Sequence, residues 1–147
     1  MFALILFACV GSLLAVAQLK CTNENVSPEI RQQMLDFHND HRHGEGKPPL
    51  EWDCELEQKA ETVFEPENGL VNTGKIKGHA VNDYAYLPPA AGEIKFNNDV
   101  KPALEYWWSK KRAFYNNMAN GSNKKVGCTY QVFDYLVNVV CVYMPTL

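Results

Sequence analysis

Charge is missing from the first seventeen residues, Met1 to Ala17, which are dominated by Ala, Leu, Val, Ile and Phe. That run is shorter than the ~20 apolar residues a membrane-spanning helix needs, and no later stretch is long and apolar enough to span a bilayer. A basic surplus is missing too. Lys and Arg number 14 against 17 Asp and Glu, a net charge of −3. That balance argues against a nucleic-acid partner, which needs a basic face. There is no polybasic run to suggest anionic membranes. The G-x-S-x-G pattern of a nucleophilic serine is absent. So is the closely paired cysteine spacing of a structural zinc site.

What the sequence does contain begins with that leader. Leu13-Leu14-Ala15-Val16-Ala17 ends in an A-x-A pattern and polar residues start at Gln18. This is a secretory signal segment with a small-residue cleavage site, although no Lys or Arg precedes the apolar run. Residues 1–17 are therefore expected to leave, and residues 18–147 to form a single domain of about 130 residues, an ordinary size for one core. Of five cysteines, Cys9 leaves with the leader, while Cys21, Cys54, Cys128 and Cys141 remain. An even count in an exported chain reads as two disulfides, with three pairings open. Asn25-Val26-Ser27 and Asn120-Gly121-Ser122 are glycan-acceptor triplets, the first followed directly by Pro28.

Ser27-Pro28 supplies a capping hydroxyl and a proline at the first helical position. Ile30, Met34, Phe37 and His41 then recur on one face as far as Arg42. The Gly and Pro content of residues 43–49 reads as a loop. Asp53 is a good N-cap for a second helix over Cys54 to Phe64, stopped by Pro66. Residues 67–98 show no helical period, and Val81 to Leu87 reads equally as a short helix or a strand. Asp99 is expected to cap a third helix carrying Leu104, Trp107, Trp108 and Lys111, with a shorter segment over Ala113 to Ala119 continuing or following it. Val126 to Phe133 and Leu136 to Tyr143 read as a hairpin turning at Asp134-Tyr135. Cys128 and Cys141 then fall roughly opposite one another, which supports their pairing and leaves Cys21 with Cys54 by elimination. Helices followed by a terminal hairpin make an α+β domain.

These segments resemble a known family. Leu35-Asp36-Phe37-His38-Asn39-Asp40-His41-Arg42 resembles the L-x-x-H-N-x-x-R of the first helix in the CAP superfamily, also called the SCP or SCP/TAPS superfamily. Leu50 to Ala60 is similar to its second-helix region. Asp53-Cys54 with the upstream Cys21 looks like the nematode branch, the activation-associated and venom-allergen-like secreted proteins. Ala103 to Trp108 resembles A-V-x-x-W-Y/W. Val126-Gly127-Cys128 and Val140-Cys141-Val142-Tyr143-Met144-Pro145 resemble the closing hairpin. The resemblance implies a divergent CAP domain, an α-β-α sandwich. It also implies that His38 is a buried helix residue with a structural hydrogen bond.

Many members of that superfamily carry two His and two Glu lining a central cleft, sometimes with a bound metal. Such a cluster can ligate zinc and activate water. Matched position by position, this chain is degenerate there. The His fourteen residues before the G-C cysteine falls on Phe114, the Glu of W-Y-x-E on Lys110, and the Glu of G-E-N on His79. No His occurs between His43 and His79 to supply the remaining ligand. A phenyl ring cannot ligate a metal, and an ammonium repels one. His38 and His41, spaced i,i+3, and His43 beside them invite a metal hypothesis, but no motif fixes an acidic partner near them. No metal or other cofactor is expected.

Trp107 and Trp108 read as core at helical spacing, with a ligand-stacking face as the alternative. Tyr84 to Ala91 is an apolar loop suited to line a pocket. Glu93 and Glu105 read as solvated acids. The expectation is thus a secreted, extracellular, disulfide-braced glycoprotein that is not an enzyme. It would act by binding host or extracellular macromolecules, as an immunomodulator would, its partner an extracellular protein or lipid. The alternatives are a sterol or fatty-acid carrier and, behind it, a metal-dependent hydrolase. Mass spectrometry of the exported protein should find Gln18 as the first residue. Enzymatic removal of N-glycans should lower its mass at Asn25, Asn120 or both; an intact leader with no glycan would contradict the reading.

Overall fold

The computed structural model describes residues 19–87, 92–109, 112–133 and 136–145. The leader, Pro88 to Ala91, Lys110, Lys111 and Asp134-Tyr135, where the hairpin turn is expected, lie outside them. In the first helix, α1 (Pro28–Gly44), the Ser27 hydroxyl accepts the Ile30 N–H at 3.2 Å, the cap its sequence predicts. The helix runs two residues beyond Arg42. A two-residue strand, β1 (Glu51–Trp52), leads into α2 (Cys54–Glu61), where Asp53 Oδ1 takes the N–H groups of Glu55 and Leu56, both at 3.0 Å. This helix ends at Glu61, short of Phe64, because the chain there turns into a bridge between Phe64 and Val71.

The segment from Val81 is a strand, β2 (Ala80–Tyr86). The third helix departs from its expected start. Phe96–Val100 is a π turn, and α3 (Lys101–Ser109) follows it. Asp99 is therefore not the residue before the helix. It sits inside the π turn, where its carboxylate reaches back to the Lys95 N–H at 2.7 Å. Then come α4 (Ala113–Ala119), β3 (Asn123–Phe133) and β4 (Leu136–Pro145).

The four strands lie in the order β1-β3-β4-β2, with β1 parallel to β3 and the other pairs antiparallel. The period of two along each strand sorts side chains between two layers. Val137, Val139, Cys141 and Tyr143 face the larger core with Met34, Leu104 and Trp107. Val140 and Val142 face the smaller one with Leu56, Ala60 and Val63. Helices α1, α3 and α4 cover the first face and α2 the second, an α-β-α sandwich.

Two disulfides brace it. Cys21 is bonded to Cys54, tying the N-terminal segment to α2. Cys128 is bonded to Cys141, its register partner across β3 and β4. The Arg31 guanidinium makes a two-pronged ion pair with Glu57 at 2.7 and 2.8 Å, and Trp52 Nε1 donates to the same carboxylate at 2.7 Å. Both charges are fully buried. Removing one partner alone would strand the other charge, a loss of about 3–5 kcal/mol.

Gly127 explains how close α2 lies to the sheet. A Cβ placed there would come within 2.2 Å of the Glu57 amide nitrogen and 2.7 Å of the Asp53 carbonyl oxygen. The helix backbone thus rests directly on β3, where no side chain fits. Gly127→Ala should destabilise the fold by about 3 kcal/mol, as overpacking against backbone does. Gly121→Ala, in open space, should stay within about 0.5 kcal/mol. Urea denaturation of both variants measures the difference.

Candidate functional site

The first helix projects three polar side chains into the protein, and each binds a different segment. Asn39 sits on the loop before β1, with its Oδ1 accepting the Leu50 N–H at 2.8 Å and its Nδ2 donating to the Leu50 carbonyl at 3.1 Å. Arg42 is fully buried and has no carboxylate partner among the described residues. It donates to the carbonyls of Pro48, Met118, Asn120 and Asn123 at 2.6–3.2 Å. Two of these carbonyls close the C-terminal end of α4, where a cation suits the helix dipole. Burial draws the guanidinium down from its ordinary value.

His38 lies deepest. Its Nδ1 is 2.7 Å from the Met34 carbonyl, which can only accept, so Nδ1 carries the proton. Its Nε2 then accepts from the Tyr143 hydroxyl at 2.9 Å. Asn82 Nδ2 donates to the Phe114 carbonyl at 2.9 Å and to the Tyr143 oxygen at 3.4 Å. Asn117 Nδ2 donates to Asn82 Oδ1 at 2.8 Å, and Asn123 Nδ2 to the Asn117 carbonyl at 2.8 Å. This chain of bonds links α1, β4, β2, α4 and β3. Burial lowers the His38 imidazole to about 4 and pushes the Tyr143 phenol up, so both stay neutral at pH 7.

The other histidines lie apart from it. His41 is half-buried, stacked on Phe37 at 4.1 Å and edge-on to Trp108 at 5.0 Å. Trp108 in turn meets Tyr115, whose hydroxyl donates to Glu45 at 2.5 Å. His43 is exposed, as are Glu93 and Glu105. Trp107 is wholly buried, its indole N–H on the Asp83 carbonyl at 3.2 Å. Of the glycan-acceptor residues, Asn25 and Asn120 are both exposed. The Asn25 amide donates to Glu61 at 2.6 Å, and Asn120 Oδ1 caps the turn at Ser122.

The positions matched to the metal-binding tetrad do not form a ligand set. The Phe114 ring packs against the larger core, on the α1, α3 and α4 side. His79 points to α2 on the other side, its Nε2 3.0 Å from the Lys59 ammonium and its Nδ1 buried without a partner among the described residues. The structure does not bring the two together, and Lys110 lies outside the described residues. A metal does not fit here: one position is a hydrocarbon ring and the other faces a cation. Among the described residues, a trio of metal-ligating types does cluster, with His38, Cys128 and Cys141 offering atoms within 4.8 Å of one another. Both sulfurs are consumed in a disulfide and both imidazole nitrogens in hydrogen bonds, so it is closed to a metal as well.

What fills the corresponding region is aromatic. Tyr84 stacks on Tyr106 at 4.2 Å and on Tyr86 at 5.6 Å, and Tyr106 lies 6.3 Å from Phe114. Sequence reading missed this array because its members come from β2, α3 and α4 at no common spacing. An open cleft of about 640 Å³ borders it, lined by Tyr106, Ser109, Arg112, Ala113 and Phe114.

Against known proteins, the model of the cysteine-rich secretory protein family, CAP, matches residues 35–143. The Ancylostoma secreted protein of Ancylostoma caninum is 25% identical over 154 residues, covering 84% of this chain; the chain spans only 36% of that relative's length. Of solved structures, Na-ASP-1 superposes with a TM-score of 0.72 at 23% identity, over 84% of this chain and 38% of its own. NaASP2 with Zn2+ superposes at 0.66 and 20% identity, over 86% of this chain and 84% of its own. At these identities the superpositions show the shared fold.

The His38 geometry generates a pH dependence. Unfolded, the ring takes a proton near its ordinary 6.5; folded, only near 4. As pH falls below 6.5 the unfolded chain binds a proton that the native state refuses, so stability is lost down to about 4. Between pH 7 and 5 the loss should be about 2 kcal/mol. His79, also lowered by burial, adds a smaller slope of the same sign. Urea titrations at several pH values should show this, and His38→Asn should flatten most of it over that interval. An equally steep profile in the variant would refute the assignment.

Proposed function

The chain belongs to the cysteine-rich secretory protein (CAP) family, and from that premise we propose that it is an exported protein acting by binding extracellular macromolecules of a host rather than by catalysis. The observation that carries this reading is the fate of the tetrad. An aromatic ring stands at Phe114, and His79 turns to Lys59 on the far side of the sheet. Neither of these two side chains is placed to hold an ion. The scaffold around this region is nonetheless rigid, with two disulfides and a buried polar network. Rigidity of that kind serves recognition, because a preorganised surface loses little entropy on binding.

The leader, the disulfides and the exposed glycan acceptors agree with life outside the cell, where modulation of a host response is the biological role this reading favours. The lipid-carrier alternative would favour an enclosed apolar cavity; the cleft lined by Ile30, Glu93 and Lys95 and the one lined by Tyr106, Arg112 and Phe114 are open, with polar side chains in their walls.

Two measurements test the reading. Immobilised protein should capture a saturable partner from host serum or cell-surface extracts, and palmitate or sterol should not compete with it. Zinc at tenfold excess should leave the thermal midpoint within about 1 °C. A rise of several degrees would mean that the protein binds the ion, since ligands of the native state stabilise it by mass action.

A further inference from the structure

We propose that the cleft where the end of α1 meets the end of α4 is a saccharide seat, filled by the first N-acetylglucosamine of a glycan carried on Asn120. The cleft measures about 340 Å³ and is lined by Glu45, Lys47, Tyr115, Asn116, Ala119 and Asn120. The Asn120 backbone is pinned at both polar groups. Its N–H donates to the Asn116 carbonyl at 2.9 Å, and its carbonyl accepts from Arg42 Nη1 at 3.1 Å and from the Asn123 N–H at 3.0 Å. Its side-chain Oδ1 accepts the Ser122 N–H at 2.9 Å. That leaves Nδ2, the atom that takes a glycan, without a partner among the described residues. The side chain is exposed, so a sugar chain starts from a fixed point on the edge of the cleft. At Asn25, by contrast, Nδ2 already donates to Glu61 at 2.6 Å, and the next residue, Val26, is buried.

The walls suit a pyranose. Tyr115 is half-buried, its hydroxyl tied to Glu45 at 2.5 Å and its ring braced by Trp108 at 5.0 Å. An aromatic face carries partial negative charge, which attracts the polarised C–H bonds of a sugar ring. The Glu45 carboxylate accepts from sugar hydroxyls through the oxygen that Tyr115 leaves open, while the Lys47 ammonium and the Asn116 amide donate to them. A flat apolar wall with a few convergent polar groups is the anatomy of a small-molecule site. The sugar is attached in the secretory pathway from a lipid-pyrophosphate-linked oligosaccharide. Asn120 Nδ2 bonds to C1 of the first sugar and the C1–O bond breaks. Its electron pair leaves with the lipid pyrophosphate, and the amide gives one proton to a base of the transferase. Asn120-Gly121-Ser122 is the triplet that such a transfer reads. Once seated, the sugar bridges two helices, joining Glu45 and Lys47 to Tyr115 and Asn116.

This proposal rests on export of the chain but not on what the protein binds. A secreted protein with a bare Asn120 would overturn it and leave the reading as a binder standing, whereas a chain retained inside the cells would refute both. The test uses the full protein secreted from eukaryotic cells that add high-mannose glycans. Glycopeptide mass spectrometry should find Asn120 occupied. Ser122→Ala removes the acceptor triplet yet keeps the Asn120 side chain and its bond to the N–H of position 122. The variant should melt about 3 °C below the glycosylated parent. The same pair made in a bacterial periplasm, where no glycan is attached, should melt within about 1 °C of each other. Trimming the parent with an endoglycosidase that leaves one N-acetylglucosamine should also keep the midpoint within about 1 °C. In a Tyr115→Ala background, Ser122→Ala should have little effect, because the sugar has lost its wall. The proposal is overturned if Ser122→Ala melts with the glycosylated parent, or if the bacterial pair differs as much as the glycosylated one. It is equally overturned if trimming to one sugar lowers the midpoint as much as losing the whole glycan, or if the effect of Ser122→Ala survives Tyr115→Ala undiminished.

Discussion

A neutral imidazole held between a helix carbonyl and a tyrosine hydroxyl is the contact to which the larger core is fitted. His38 has no access to water, and a charged ring there would be costly to desolvate. The ring therefore requires both partners at once, Met34 one turn earlier in α1 and Tyr143 at the far end of the chain. Tyr143 in turn fixes Asn82, Asn82 fixes Asn117, and the α4 segment is positioned by that sequence of bonds. Each member is satisfied by the next, so the network is strong only when complete.

Around Asn82 the side-chain polar atoms are taken up by hydrogen bonds within the protein. Asn82, on the strand face towards α4, hydrogen-bonds the carbonyl of Phe114. The ring of Phe114 itself fills space against the core. The region has become packing on one side and an open aromatic cleft on the other.

Much of the frame was legible in the sequence because it depends on local rules. Ser27-Pro28 announces α1, Asp53 announces α2, and the β-branched run ending in Tyr143 announces the hairpin with Cys128 opposite Cys141. The family resemblance of Leu35 to Arg42 identified His38, but not the purpose of Asn39 and Arg42, whose partners are loops and helix ends with no signature of their own. The π turn at Phe96–Val100 escaped reading because its one extra residue per turn leaves no periodic trace, and Asp99 imitates a cap from within it. His79 could not be placed from sequence either. It lies in the bend just before β2, where no periodicity fixes which way a side chain turns. The aromatic array was hidden for a third reason, since Tyr84, Tyr106 and Phe114 meet only after three elements have packed.

Arg42 carries a kinetic implication. Its acceptors lie at Pro48, six residues on, and at Met118, Asn120 and Asn123, some eighty residues on. A guanidinium leaves water only when all its hydrogens have somewhere to go. During synthesis the first helix therefore emerges with a charged residue whose destination does not yet exist, and it stays hydrated until the final strands arrive. Closing such long loops is slow. The domain accordingly has no stable half: a nascent chain stalled before β3 would hold its first helix loosely, and the last quarter of the sequence commits the rest.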